Sequence, residues 1–320
     1  IAFFLCWHLG LTTPREVYEL FGEMLAGMSL LAIVFCVFLL VKGHVAPTDE
    51  DSGSCGNVVY DFWWGMELYP KIGPLNLKQF TNCRFGMMAW AILPIIFACY
   101  QYQRDKYLAD SVAVCVALMC VYNFKFFVWE TGYFNSMDIQ HDRAGYYICW
   151  GCLVWVPAVY TSPALYIASH PVTLGPQLAA AIFALGCLSI WINYDSDRQR
   201  QEFRASGGKK KVWGKKPVIV EAEYKVAKDG RTVTKKSILL ASGWWAIARH
   251  FHYLPEITAS FFWTSPALFG KLPPYLYVIF LTVLLIDRSM RDDTRCSLKY
   301  GKYWKKYCEL VPYKIVPGIF

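Results

Sequence analysis

Phe21-Gly22-Glu23-Met24-Leu25-Ala26-Gly27-Met28-Ser29-Leu30-Leu31-Ala32-Ile33-Val34-Phe35-Cys36-Val37-Phe38-Leu39-Leu40-Val41 decides the fold class, because the run carries no charge after Glu23. A hydrocarbon core about 30 Å thick takes about 20 apolar residues in a helix, so this segment reads as a membrane span. The rest of the chain agrees: its 320 residues are 56% hydrophobic and 17% aromatic, with a mean hydropathy of +0.29, too apolar for an ordinary soluble domain. The expectation is an all-α, polytopic membrane helical bundle with room for roughly seven to nine spanning helices.

Outward from that run, further spans are expected at about Met87–Tyr102, Leu108–Glu130, Gly145–Ile167, Leu174–Tyr194, Ile257–Phe269 and Pro274–Ile286. Ile238–Ala248 is half the length needed to cross and reads as a re-entrant or broken helix. Gly43–Asn57 is a loop, and Tyr60–Leu68, rich in rings, suits a membrane interface. The apolar start Ile1–Trp7 reads as the end of a helix whose first part is missing.

The net charge of +8 does not indicate nucleic acid, since the basic residues lie between apolar segments and not on a soluble surface. They concentrate in two places. Arg198–Lys236 holds thirteen Lys and Arg against four Asp and Glu, and the tail from Arg288 onward holds eight more. Both regions are expected on the cytosolic side, joined by an even number of crossings, most simply a hairpin within Ile238–Ile286. Inside the first, Val218–Tyr224 and Gly230–Val233 flank Lys228-Asp229-Gly230, the signature of a small surface β-hairpin. Most of the twelve cysteines fall in apolar runs and read as reduced, buried, small side chains.

Three constellations carry chemistry. In the tail, Arg288, Arg291 and Arg295 recur at helical spacing, and Lys299 and Lys302 continue one side of the same helix. Anchoring alone would explain the cations, but Asp292 and Asp293 lie among them, and Tyr300, Tyr303, Tyr307 and Tyr313 follow. A dinucleotide site needs acceptors for hydroxyls beside donors for phosphates. Arg249-His250-Phe251-His252-Tyr253, behind Trp244-Trp245, adds polar rings, and Arg198, Arg200 and Arg204 follow directly on a span. Guanidinium groups from three stretches would converge on phosphate. The third constellation is acidic. Glu130 ends a span, Asp138, His141 and Asp142 precede the next, and Tyr122 lies two helical turns before Glu130 with Lys125 one turn beyond it. Zinc spacing, Gly-x-Ser-x-Gly, a Walker loop and the Gly-x-Gly-x-x-Gly fingerprint are all missing from the sequence.

These residues resemble the sterol reductase family of endoplasmic-reticulum membrane enzymes, which includes delta-14 reductases, the lamin B receptor and delta-7 (7-dehydrocholesterol) reductases. One family signature resembles Asp287-Arg288-x-x-Arg291-Asp292 through Cys296, Lys299-Tyr300-Gly301-Lys302 and Tyr307-Cys308; another resembles Gly56-Asn57-x-x-Tyr60-Asp61-x-x-x-Gly65-x-x-Leu68. Asp138–Gly145, Asp197–Arg204, Val212-Trp213-Gly214-Lys215-Lys216-Pro217 and Arg249–Tyr253 look similar to the plant-type delta-7 branch. The chain departs from the family pattern at Tyr69-Pro70-Lys71, at His252, where many relatives carry Asn, and at Lys125, which stands in place of an acid.

The resemblance implies NADPH-dependent reduction of a sterol ring double bond. It places a transmembrane bundle with a sterol-facing cavity in residues 1–194. Residues 195–320 then form a cytosolic loop, a membrane hairpin and a C-terminal NADPH-binding region. Arg200, Arg204, Arg288, Asp292, Lys299, Tyr300 and Tyr307 match cofactor positions, with Trp245, His252 and Tyr253 lining them. Tyr122, Glu130 and Asp138 are the catalytic expectations: Tyr122 as the final proton donor to the olefin, resupplied by Glu130 or by Asp138 and its neighbours. The substrate enters from the bilayer, no metal is involved, and delta-7 chemistry is favoured over delta-14. Two other classes stay open at this point: an isoprenylcysteine-type membrane methyltransferase using S-adenosylmethionine, and a non-catalytic sterol-binding protein.

Overall fold

The computed structural model describes residues 8–10, 12–228 and 231–320. The expected helix end at Ile1–Trp7 and the hairpin turn at Asp229-Gly230 lie outside the described residues. Among those described, six helices are long and apolar enough to cross a membrane: α1 (Phe21–Val45), α2 (Leu77–Asp105), α3 (Asp110–Val128), α4 (Tyr146–Ser169), α5 (Pro176–Ala205) and α6 (Pro273–Tyr300). This is a polytopic helical membrane protein. The count falls below the seven to nine that length allows because Ile257–Phe269 does not make a full span: it forms a helix over Tyr253–Thr264 and a 3-10 turn over Ser265–Ala267.

The chain divides into two compact units, one holding the chain up to Phe183 together with Trp263–Tyr277, the other Ala184–Phe262 and Val278–Phe320. In the first, α2 and α4 each contain a π-helical stretch, Phe80–Gly86 and Gly151–Tyr160. Pro157 explains the second, since it has no N–H to donate and the widened turn absorbs the defect. The two stretches approach closely: a Cβ on Gly86 would lie 2.9 Å from the Cys152 carbonyl oxygen. Helix α1 buries Ala32, Cys36 and Leu39, with Cys36 and Leu39 packed in one core with Ile148 and Cys149.

The Gly56–Leu68 signature turns out to be a lock for this bundle. Asn57 caps the helix Val58–Trp64 by accepting from the amides of Val59 and Tyr60 at 3.0 and 3.2 Å, and buried Asp61 accepts from Ser54 Oγ at 2.5 Å and the Cys55 amide at 3.0 Å. Gly65 sits at φ +103°, and a Cβ there would lie 2.5 Å from the Gly145 amide nitrogen, so backbone meets backbone where only glycine fits.

In the second unit, an antiparallel hairpin pairs β1 (Ile219–Lys228) with β2 (Arg231–Leu240) in the register Ile219↔Leu240. Alternate residues Val220, Ala222 and Leu239 form a core with Tyr300, Trp304, Tyr307 and Val311. The hairpin expected from sequence is therefore present and longer than expected. It also corrects the reading of Ile238–Ala248: Ile238-Leu239-Leu240 belong to a strand, and only Trp244–Ile247 makes a helical turn. A short apolar run has no periodicity that separates the two states, and pairing with Ile219–Glu221 decides it. A second correction concerns the tail. Gly301 takes φ +53°, ending α6 in the left-handed region, and α7 (Lys302–Leu310) begins beyond it. Lys302 is thus not on the helix that carries Arg288 and Lys299.

Candidate functional site

The second unit gathers most of the expected cofactor residues. Arg200, near the end of α5, lays its guanidinium over the Trp245 ring at 4.2 Å. Trp245 is fixed by its indole N–H, which donates to the Ser196 carbonyl at 2.8 Å. The His252 ring stands 5.1 Å from Trp245 and 4.2 Å from Tyr253, and His250 stacks on Tyr253 at 5.3 Å. The His252 carbonyl accepts from Asn193 Nδ2 at 2.9 Å, tying this ring ladder to α5.

From α6, Asp292 enters the same cluster. It accepts from Arg295 Nη2 at 2.5 Å and lies 3.8 Å from His250 Nε2, within electrostatic reach of Arg200. Arg204, exposed at the end of α5, lies in electrostatic reach of Arg200, Tyr300, Cys296 and Tyr307. Arg288 is half-buried one turn before Asp292 on α6. Residues from α5, from the Trp245–Tyr253 ladder and from α6 thus converge.

Burial sets the charge state of the ladder. His250 is 4% exposed, and desolvation pushes its pKa down to about 4; Asp292 opposes this, while Arg200 and Arg249 reinforce it. The imidazole is neutral at pH 7, so its contact with Asp292 is a polar contact and not an ion pair. Burial likewise raises the Tyr307 phenol, against the opposing pull of Arg200 and Arg249.

Not every expected residue offers the group assigned to it. The Tyr307 hydroxyl donates to the Leu240 carbonyl at 2.9 Å, which commits it to joining α7 to β2 and leaves the ring face as the available surface. Lys299 lies over the rings of Tyr224 and Tyr300 at 4.3 and 5.2 Å, on the hairpin side of α6. Arg291 pairs with Asp287 at 2.9 Å on the surface. Arg249 is buried and donates to the carbonyls of Val311 and Pro312 at 2.8 and 2.9 Å, so this guanidinium anchors the C-terminal segment.

The first unit holds the acid candidates. Tyr122, on α3, is enclosed by rings: Trp90 at 5.0 Å and Trp263 at 5.3 Å, with Tyr160 and Tyr277 beyond Trp90 at 5.1 and 6.2 Å. Lys125 Nζ stands 4.6 Å from the Tyr122 ring centroid. Helix α3 ends at Val128, and Trp129 leaves helical geometry at ψ 34°, so Tyr122 and Glu130 do not ride one continuous helix as the spacing suggested. Glu130 instead forms a two-pronged ion pair with Arg84, whose Nη2 donates to Oε2 at 2.8 Å. Asp138 lies in the first turn of the short helix Met137–Gln140.

Sequence reading missed Lys78, which is fully buried and donates to the carbonyls of Ile139 (2.8 Å) and Asp142. Its charge lies in reach of Asp142 and Asp138, and a lysine this close to an apolar span is the signal that would have flagged it.

A family model described as the ergosterol biosynthesis ERG4/ERG24 family matches residues 6–320. The chain belongs to this family. Over 315 residues, 98% of the chain and 72% of the relative, it is 57% identical to a 7-dehydrocholesterol reductase of Arabidopsis thaliana. A 7-dehydrocholesterol reductase of Xenopus laevis is 36% identical, covering 98% of the chain and 66% of that protein. A delta(14)-sterol reductase of Methylotuvimicrobium alcaliphilum is 34% identical, covering 98% of the chain and 70% of that protein. The chain therefore spans about two thirds to three quarters of the length of these relatives. The family resemblance read from the tail and Gly56–Leu68 signatures is borne out by these matches.

Proposed function

We propose that this protein reduces the C7=C8 double bond of a sterol with NADPH, in sterol biosynthesis at the endoplasmic reticulum membrane. The observation that carries the cofactor half is the convergence of Arg200 and Arg204 with Asp292 and the Trp245–Tyr253 rings. Cations for phosphates, a carboxylate for hydroxyls and flat rings for a base or amide make a donor set that fits a phosphorylated dinucleotide. Arg200, Arg204 and Arg288 would hold phosphates, and Trp245, His252, Tyr253, Tyr300 and Tyr307 would present ring faces. When bound, NADPH supplies a hydride for an electron-deficient ring carbon. The delta-7 position is supported by 57% identity to the plant 7-dehydrocholesterol reductase, against 34% to the bacterial delta(14) enzyme.

The chain's own residues supply the proton. An isolated olefin accepts hydride poorly, so it must first be protonated, and Tyr122 is the donor. Its half-buried ring is flanked by the buried indoles of Trp90 and Trp263, and its hydroxyl is the proton-bearing group of this ring-lined site. The rings of Trp90, Tyr160 and Trp263 steady positive charge on the substrate by about 0.5 to 2 kcal/mol each. Lys125 Nζ over the Tyr122 ring places a cation beside the donor. Glu130, paired to Arg84, lies on the path that resupplies the proton to Tyr122, with Asp138 its companion. In this reading residues 1–194 form the sterol-facing bundle and 195–320 the NADPH region, with the basic loop and the C-terminus cytosolic, which requires the shorter Tyr253–Ala267 segment to act with α6 as the returning hairpin.

Expression in a yeast strain that accumulates sterols carrying both delta-7 and delta-14 unsaturation tests the assignment. The delta-7 bond should disappear while the delta-14 bond persists. Loss of the delta-14 bond alone refutes the regiochemistry, and S-adenosylmethionine-dependent methylation refutes the class.

A further inference from the structure

Val212-Trp213-Gly214-Lys215 is a tight turn closed by reciprocal backbone hydrogen bonds, Val212 N to Lys215 O at 2.9 Å and Lys215 N to Val212 O at 3.0 Å. Both central residues take positive φ, +49° at Trp213 and +77° at Gly214. The second is a glycine position by ordinary turn chemistry; the first is one where a bulky side chain is strained and Asn or Gly is the usual occupant. The turn nevertheless carries a tryptophan there, and that tryptophan is 60% exposed. Its base is firm, because Val212 is buried with Phe203, Leu240 and Trp245. Backbone strain held by a packed base to present an exposed indole calls for a function.

The position of the indole identifies the surface it meets. Helix α5 is free of charge from Pro176 to Tyr194, and Asp195 is its first charged residue, so the chain leaves the hydrocarbon near Asp195. Trp244 donates its indole N–H to Asp195 Oδ2 at 2.8 Å, and Trp213 packs edge-on against Trp244 at 5.1 Å. The turn thus folds back to the level at which α5 emerges. Around it, Lys209, Lys210, Lys211, Lys215 and Lys216 are exposed, and no acid interrupts the sequence between Arg204 and Glu221. Lys210 pairs with Glu202 at 2.7 Å; among the described residues no ion pair engages the other four.

We infer that the Trp213 turn is a membrane-surface contact: the indole inserts among the headgroups beside α5 while the lysines bind anionic phospholipid. An indole is at its most favourable at that depth, and lysines on a short loop next to a span gain from a negative surface potential. The lysines require an anionic partner, and the placement of the turn beside Asp195, where α5 emerges, favours lipid over an acidic protein.

The test uses the full chain reconstituted in vesicles of phosphatidylcholine, with and without phosphatidylserine. Trp213→Phe supplies the Trp213 contribution as a difference in fluorescence. That component should lose about half of its intensity or more to a headgroup-spin-labelled lipid, and little to aqueous acrylamide. Phosphatidylserine should shift its emission to shorter wavelength, and changing Lys209, Lys211, Lys215 and Lys216 to Gln should abolish that shift. Acrylamide quenching without headgroup quenching would place the turn in water, free for a soluble partner, and would overturn the inference. A Trp213 component indifferent to phosphatidylserine would do the same. Equal melting temperatures of the two variants and the parent exclude misfolding as the cause.

Discussion

His250 Nε2 lies 3.8 Å from Asp292 Oδ2, and yet the imidazole is uncharged, because its burial and the nearby Arg200 and Arg249 outweigh the carboxylate. The consequence is a stability that depends on pH. Above about pH 6.5, His250 is neutral in both folded and unfolded chains and contributes no pH dependence. As pH falls from about 6.5 to about 4, the unfolded chain binds a proton that the native state refuses, and stability declines by on the order of 3 kcal/mol. Thermal melts of the detergent-held protein across that window should fall more steeply for the parent than for His250→Gln. Parallel curves would show that the histidine is not buried neutral.

Tyr307 and Arg204 should separate under mutation although they lie close together. Tyr307→Phe leaves the Leu240 carbonyl without its donor and should cost about 1 to 3 kcal/mol of stability, with cofactor affinity nearly unchanged. Arg204→Gln should leave the melting temperature alone and weaken NADPH binding. The comparison needs only a melt and a binding titration on each variant.

Gly65→Ala tests the lock between the two glycines. Its Cβ would lie 2.5 Å from the Gly145 amide nitrogen at a backbone φ of +103°, so both sterics and conformation oppose it. A loss of about 3 kcal/mol or more is expected, seen as failure to accumulate in membranes or as a large drop in melting temperature. Normal accumulation would mean that the Gly65–Gly145 approach is looser than described.

Tyr122→Phe removes one hydroxyl from a ring-lined site. The rate of olefin reduction should fall about 100- to 10,000-fold, with NADPH affinity intact, if that hydroxyl is the acid. Glu130→Gln should lower the rate less and unpair Arg84. A Tyr122→Phe protein with full activity would move the acid elsewhere.

Particular residues show what the sequence could reveal. The spans at Phe21–Val45 and Asp110–Val128 are legible because length and missing charge suffice. The hairpin is legible from its alternation, but its end at Ile238–Leu240 is not, since only pairing with Ile219–Glu221 tells strand from helix there. Gly301 is visible in the sequence, yet the spacing of the lysines suggested a helix running through it. Pairs such as Arg84–Glu130 and Tyr307–Leu240 join distant segments, and no local pattern announces them. The residues proposed for the cofactor stand out as a set because cations and carboxylates so near apolar spans need a reason; that Tyr307 and Arg249 spend their polar groups on backbone carbonyls is visible only in the fold.

The proposal that Arg200 and Arg204, with Asp292 and the Trp245 ladder, hold one phosphorylated nucleotide is tested most directly by titrating NADPH and NADH against the parent and an Arg200→Gln/Arg204→Gln double variant. The parent should bind NADPH more tightly than NADH, and the double variant should lose about 10-fold or more in NADPH affinity with a much smaller change for NADH. Equal affinity of the parent for the two nucleotides, or an unchanged NADPH affinity in a folded double variant, would contradict the account.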